Sequence, residues 1–547
     1  MRSSNRRSGS FVEAALFALF LLVFGIITYR TSLSFFPYPW PDDSAFYLSG
    51  LDLANWPPRW VMHNQAAFIP SYDQANFNLM PLFSLMVGLG RFVGLNSAHA
   101  VKLYGIFALS LLSWIVYCWL RVRRVQTFWR IIFPLILVTM PPLRWGALVL
   151  RPEIWQCLFW VLILQEIEAS SPENLQERPR LAIWRLPGLL ALAAGFHYDA
   201  VVWVVPTAIG LIFQNASPSR AFRVLLMVAL RTLVWLSPWL VYLIYKNEYF
   251  FDQMNTQFGR LEEAPAFIKD AYSAFHGFFL DRGNPIHYPK FYNAGKILTW
   301  LMVIITSLRT LTLAYRERGA SASVRVASVV ALISTTHLWI TKPEVWFVTL
   351  VFGAIFPVVV LAVREKERDV PDNLFLIIRR KVVGAHLIAL LAIQLAVVVH
   401  QYGKTHAILS WNRYDAWIDC IETTIGPRKN IWQVSWPDTL INLSHNKPKR
   451  DYSRTADFPH IDLLIAKLVA RTEVILHPFA LPIDQGVRPG EVNFEETYQG
   501  QARASDFQFL KTNRWLPYAK YAAPNLGKPW QWQVCQNGAL WAGVSLK

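Results

Sequence analysis

Asp42 and Asp43 stand side by side in the run Trp40-Pro41-Asp42-Asp43-Ser44-Ala45-Phe46-Tyr47, just past the first long apolar stretch of the chain. Two carboxylates at the mouth of a membrane helix hold charge against low-dielectric material, which is costly unless the charge is paired or used. One can cap the helix predicted from Ser44 to Asn55 by accepting its first backbone N–H groups. Either can act as general base on an incoming hydroxyl or as a ligand to a hard divalent cation. Adjacent side chains in a helix do not share a direction, so the two residues can have different tasks.

Three further sets of polar residues interrupt apolar sequence. Arg144, Arg151 and Glu153 fall in Pro141–Glu153, where arginines can either snorkel to lipid headgroups or hold a phosphate. His197, Tyr198 and Asp199 break the stretch from Leu186 to Phe213; they are either a wet turn between two short helices or the wall of a cavity. A metal on His197 together with Asp42 or Asp43 is a further reading, although three ligands are not in view. Lys342-Pro343-Glu344 forms a tight turn in which Lys342 is a second candidate for a phosphate. Residues 246–292 add Tyr249, Asp252, Arg260, Asp281, Arg282 and His287, in no order of preference.

The elements that must position these residues are membrane helices. The chain has 547 residues, 54% of them hydrophobic and only 16% charged, with a mean hydropathy of +0.28. Apolar runs near the length of a bilayer crossing recur along it. The first, Phe11 to Tyr29, follows a basic leader, is longer than a signal-peptide core and has no small-residue cleavage site behind it, so it reads as a retained helix. The net charge of +17 is divided among short loops and forms no basic stripe with interleaved aromatics, which argues against nucleic acid. Placing those loops in the cytoplasm gives one threading. Its spans are 11–29, 101–120, 129–143, 154–168, two short helices within 186–213, 224–245, 293–313, 325–341, 344–363 and 382–400, about 11 in all. The outer side then receives 30–100, a short turn at 141–153, residues 246–292, a turn near 341–344 and the tail 401–547. Leu79 to Val87, ending at Gly88 and Gly90, reads as a helix lying at the interface.

The tail is long enough for a soluble domain and reads as mixed α/β: strands at Ile431–Trp436 and Val474–Leu476, an amphipathic helix over Ile461–Val469. Cys420 and Cys535, near its two ends, can pair in an oxidising compartment. No CxxC, HExxH, GxSxG or phosphate-loop pattern is present.

An acidic pair in the first outer loop, a tyrosine-bearing helix after it, about 11 spans and an outer C-terminal domain together resemble the GT-C membrane glycosyltransferases. These include the protein O-mannosyltransferases and the lipid A aminoarabinose transferases. Asp42, Asp43 and Tyr47 match the acidic pair and following aromatic. Leu79-Met80-Pro81-Leu82 stands where the mannosyltransferases have His-Pro-Pro, and Trp411-Asn412-Arg413-Tyr414-Asp415 departs from the oligosaccharyltransferase tail signature. The resemblance implies a polyprenyl-phosphate-linked sugar as donor and inverting transfer to an acceptor hydroxyl of a glycan, lipid or protein. It assigns the base to Asp42 and leaves Asp43 as cap, metal ligand or orienting group. It gives the donor phosphate to Arg151, Arg144 and Lys342, and places Tyr47, Glu153, His197, Tyr198, Asp199 and Glu344 around the substrate. A divalent cation, on Asp43 or His197, is the one cofactor in view. The implied location is a bacterial inner membrane with the tail in the periplasm. Two alternatives share the architecture: a glycan polymerase or ligase using a polyprenyl pyrophosphate, and a lipid or sugar transporter.

Overall fold

The computed structural model describes residues 2–32, 41–61, 74–77, 79–95, 98–123, 125–148, 150–169, 182–200 and 218–251. It also describes single residues and short pieces further on, among them 253–254 and five strands of the tail. Helix α1 (Arg2–Ser32) carries the apolar window Phe11–Thr31. Its Phe17, Leu21 and Phe24 are buried, whereas Phe11, Leu16, Leu19, Leu22 and Ile26 are exposed. In water that outer stripe would be unfavourable by about 25 cal/mol per Å²; against lipid tails it is neutral. Among the described residues, helix α4 (Ala98–Val122) is the second unbroken helix long and apolar enough to cross a bilayer. The chain is a polytopic helical membrane protein.

Helix α5 (Thr127–Thr139) stops because Met140 turns extended ahead of Pro141-Pro142, which cannot continue a helix. The expected span 129–143 therefore ends early. The expected short turn at 141–153 is instead largely a helix, α6 (Pro141–Leu148): a proline fits the first helical position, so it opens the new helix where it closes the old one. Helices α7 (Glu153–Ala169) and α8 (Ala182–Phe196) follow, then a 3-10 turn over Tyr198–Ala200. Of the second short helix expected within 186–213, only Thr207 lies among the described residues beyond that turn, and it is helical. The single helix expected over 224–245 is two: α9 (Pro218–Trp235) and α10 (Ser237–Tyr245), bent by 66°. Pro238 lacks the N–H that would bridge the break.

The ends of the bundle are tied separately. At one end Glu13 of α1 accepts from Arg130 of α5 at 2.9 Å and from the Tyr117 hydroxyl of α4 at 3.2 Å. At the other, Arg144 of α6 donates to Thr31 of α1 at 3.5 Å, and Thr139 donates to Gln394 at 2.9 Å. The described residues between 385 and 399, within the expected last span, are helical. The expected spans 293–313, 325–341 and 344–363 lie outside the described residues but for two helical positions, 329 and 330.

Two helices between α1 and α4, α2 (Pro41–Leu53) and α3 (Pro81–Leu89), pack backbone to backbone. A Cβ on Gly50 would overlap the Ser84 carbonyl oxygen, and one on Gly88 would overlap the Gly50 carbonyl oxygen. Gly88 does not break the helix as expected; it lies within α3 and permits this approach. We expect Gly88→Ala to cost about 1–3 kcal/mol by overpacking and to push α2 off α3. A drop in detergent melting temperature with α1 and α4 still inserted checks this.

In the tail a mixed five-stranded sheet is ordered β2-β1-β3-β5-β4, built from β1 (Asn430–Gln433), β2 (Asp451–Arg454), β3 (Val474–His477), β4 (Trp530–Cys535) and β5 (Leu540–Ser545). β1 pairs in parallel with β2 and β3, and β5 runs antiparallel to β3 and β4. β1 and β3 coincide with expected strands; the other three were not anticipated. The helix expected over Ile461–Val469 and Cys420 lie outside the described residues.

Candidate active site

Pro41 takes the first position of α2, so the helix begins three residues before the expected Ser44. Asp42 and Asp43 therefore sit in its first turn, where the helix dipole favours negative charge. One turn on, Phe46 is fully buried. It meets Phe83 of α3 edge-on at 5.1 Å and the His197 ring at 6.4 Å, and the Arg151 guanidinium lies 5.8 Å from its ring centre. Phe46 thus docks the helix that starts with the acidic pair onto two of the expected site residues.

Arg151 and Glu153 flank the start of α7 and bind each other. The Arg151 Nη2 is 2.7 Å and its Nε 3.1 Å from Glu153 Oε1, with the two residues 3% and 0% exposed. In a water-excluded site such a pair is held firmly, since either charge alone would be stranded. Gln156, one turn along α7 on the face of Glu153, donates from Nε2 to the His197 carbonyl at 3.1 Å and fixes the end of α8 beside the pair. Gln156 was not anticipated, although its three-residue spacing from Glu153 placed it on the same helix face.

Arg151, Glu153 and His197 come together around Phe46, but the other expected residues divide. Arg144 is buried on α6 with its guanidinium toward α1, 5.6 Å from the Phe24 ring and bonded to Thr31. Tyr198 commits its hydroxyl to the Phe77 carbonyl at 2.6 Å, and Asp199 lies in the 3-10 turn. Lys342 and Glu344 lie outside the described residues. Among the described residues no three His, Cys, Asp or Glu side chains converge on a metal position.

Tyr47 is buried in the packing beside Phe46, and burial pushes its hydroxyl up to about 12, with Tyr104 adding to the rise. The folded value stands above the unfolded one near 10, so the neutral phenol stabilises the fold fully below pH 10 and ceases to as pH rises through 12. Melting scans between pH 10 and 12 are expected to show a loss, of which Tyr47→Phe removes a part on the order of 2 kcal/mol.

Apolar helices long enough to span, the packed pair α2 and α3, and the buried Arg151–Glu153 ion pair beside Phe46 make a helical membrane fold. No protein-family model and no curated protein matches the chain. Among solved structures it is similar to ArnT from Cupriavidus metallidurans bound to undecaprenyl phosphate, with a TM-score of 0.53 at 11% identity, over 96% of this chain and 97% of that one. It is also similar to the apo state of that protein, with a TM-score of 0.50 at 13% identity, over 90% of this chain and 95% of that one. At such identity the likeness is one of fold.

Proposed function

We propose that this protein is an integral membrane glycosyltransferase that moves a sugar from a polyprenyl-phosphate donor to an acceptor hydroxyl, with inversion. The observation that carries this reading is the docking of α2, with its Asp42-Asp43 start, through Phe46 onto Arg151 and His197. The fold it shares with a protein described as bound to undecaprenyl phosphate supports the choice of donor. Asp42 accepts the acceptor's hydroxyl proton as the oxygen bonds to the anomeric carbon; the bond from that carbon to the phosphate oxygen breaks, and the lipid phosphate departs as an anion. Arg151, oriented by Glu153, balances that charge, with Lys342 as a further cation; Arg144, turned toward α1, takes no part. His197, Tyr198, Asp199, Tyr47 and Glu344 shape the sugar site.

The same reading gives residues 1–400 as the catalytic membrane module with about 11 spans, and 401–547 as a mixed α/β periplasmic domain of a bacterial inner-membrane protein. The test is transfer by purified protein in lipid vesicles containing polyprenyl-phosphate-linked sugars. The expected products are a free polyprenyl phosphate and a glycoside of opposite anomeric configuration. Transport of intact donor across the vesicle wall with no cleavage would replace this reading with a transporter.

A further inference from the structure

Residues 74–77 of the first outer loop form a strap whose backbone is gripped by side chains from distant parts of the chain. Phe77 N–H donates to Gln253 Oε1 at 2.7 Å, and Gln253 Nε2 donates to the Ala75 carbonyl at 3.0 Å. One primary amide thus supplies both the acceptor and the donor that a neighbouring strand would. Asn76 N–H donates to the Tyr242 hydroxyl at 3.4 Å, which itself donates to the Trp60 carbonyl at 2.9 Å. The Phe77 ring sits 5.3 to 5.5 Å from those of Phe250, Tyr242 and Trp239. Ala75, Asn76, Phe77 and Gln253 are all 0% exposed, so each of these backbone groups needs its partner.

The strap also reaches the other way. Asn76 Oδ1 accepts from Leu79 N–H at 3.2 Å, just ahead of α3, and its Nδ2 donates to Ser49 Oγ on α2 at 3.4 Å. Ser49 in turn donates to the Val61 carbonyl at 2.8 Å. Ser49 lies seven positions, about two helical turns, from Asp42 on the same helix. A continuous set of bonds therefore joins Gln253, at the start of the second outer loop, to the helix that begins with the acidic pair.

We propose that Gln253 is a positioning residue: by gripping the 75–77 strap it sets, through Asn76 and Ser49, the pose of α2 and hence of the turn that carries Asp42. The proposal rests on the reading of Asp42 as base. The strap is distinct from the cations that would hold the donor phosphate, although its Phe77 carbonyl also accepts from the Tyr198 hydroxyl at 2.6 Å, so its loss acts mainly on turnover. Small misplacements of a catalytic group are costly, about 10²-fold for 1 Å.

Gln253→Leu is expected to lower kcat by about 10²-fold, with a much smaller change in the KM for a polyprenyl-phosphate-linked sugar. Hydrogen exchange of the full-length protein should quicken over 75–77 and over the described α2 amides 46–53. Gln253→Glu keeps the size and makes the grip titratable. The protonated acid donates to the Ala75 carbonyl as the amide does; the carboxylate opposes it with a second acceptor. Burial raises the carboxyl's pKa, so the Glu variant should approach wild-type turnover and exchange at low pH and lose both as pH rises.

An inserted Gln253→Leu protein with wild-type kcat and unchanged exchange over 46–53 overturns the proposal. So does a Glu variant whose ratio to wild type is flat with pH, which also decides the matter should the Leu variant fail to fold. If wild-type protein transfers no sugar, the function proposed above fails, and exchange over 46–53 alone decides whether the strap holds α2.

Discussion

Asp42→Asn is expected to abolish transfer, lowering kcat by about 10²–10⁴-fold, the range spanned by a positioned general base. Asparagine preserves size and is tolerated at the start of a helix, so α2 should still form from Pro41 and dock through Phe46. Only the capacity to take a proton is removed. The measurement is product formation from a lipid-linked sugar by protein whose melting temperature matches wild type. The KM for the donor should hold, because Arg151, the cation assigned to the phosphate, lies just ahead of α7 and not on α2. Asp43→Asn separates the pair: a loss of stability with kcat retained makes Asp43 a structural residue of the first turn, and a loss equal to that of Asp42→Asn makes the two share the proton. Wild-type turnover in Asp42→Asn would remove Asp42 from the chemistry.

Glu153→Gln is expected to destabilise the protein by about 3–5 kcal/mol, since it leaves the Arg151 guanidinium buried with its paired carboxylate gone. Arg151→Met alone should cost a similar amount for the opposite reason, a stranded carboxylate. Combining Arg151→Met with Glu153→Leu replaces the pair by apolar groups, and most of the lost stability should return. Transfer should not return with it, because the charge assigned to the departing phosphate is gone. Denaturation midpoints and donor turnover on wild type, Arg151→Met, Glu153→Leu and the double variant give the cycle. A stable double variant with full turnover would make the pair a purely architectural clamp.

Much of the membrane body was legible in the sequence because its signal is local. A run such as Phe11–Thr31 or Lys102–Val122 is predominantly apolar, with its charges near the ends, and a bilayer imposes one length on all such runs. Prolines made other points readable only in part. Pro141-Pro142 marks an end of helix equally well as a beginning, and here it is both. Pro238 allows a continuous kinked span or a 66° break, and the choice depends on what the second arm packs against; Tyr242 on that arm bonds Trp60 and Asn76. In the tail, β4 and β5 pair around the four residues 536–539, which include Asn537-Gly538, a hairpin signal that was available. β2 is short and polar, and only its pairing with β1 identifies it.

The site shows the same division. The charged residues stood out by type, since Arg151, Glu153 and His197 are each unusual beside apolar runs. The residues that join them did not. Phe46, Gln156, Asn76 and Gln253 are ordinary in composition, and their partners lie as far as 178 positions away. By itself the sequence determined that this chain threads a membrane, and that an acidic pair and several cations stand beside its apolar runs, because hydropathy and charge act residue by residue. The tertiary structure alone decided that Arg151 binds Glu153, that Phe46 brings α2 to that pair, and that Arg144 faces α1 instead. Those outcomes depend on which helix faces meet, and facing is a property of packing that no single segment carries.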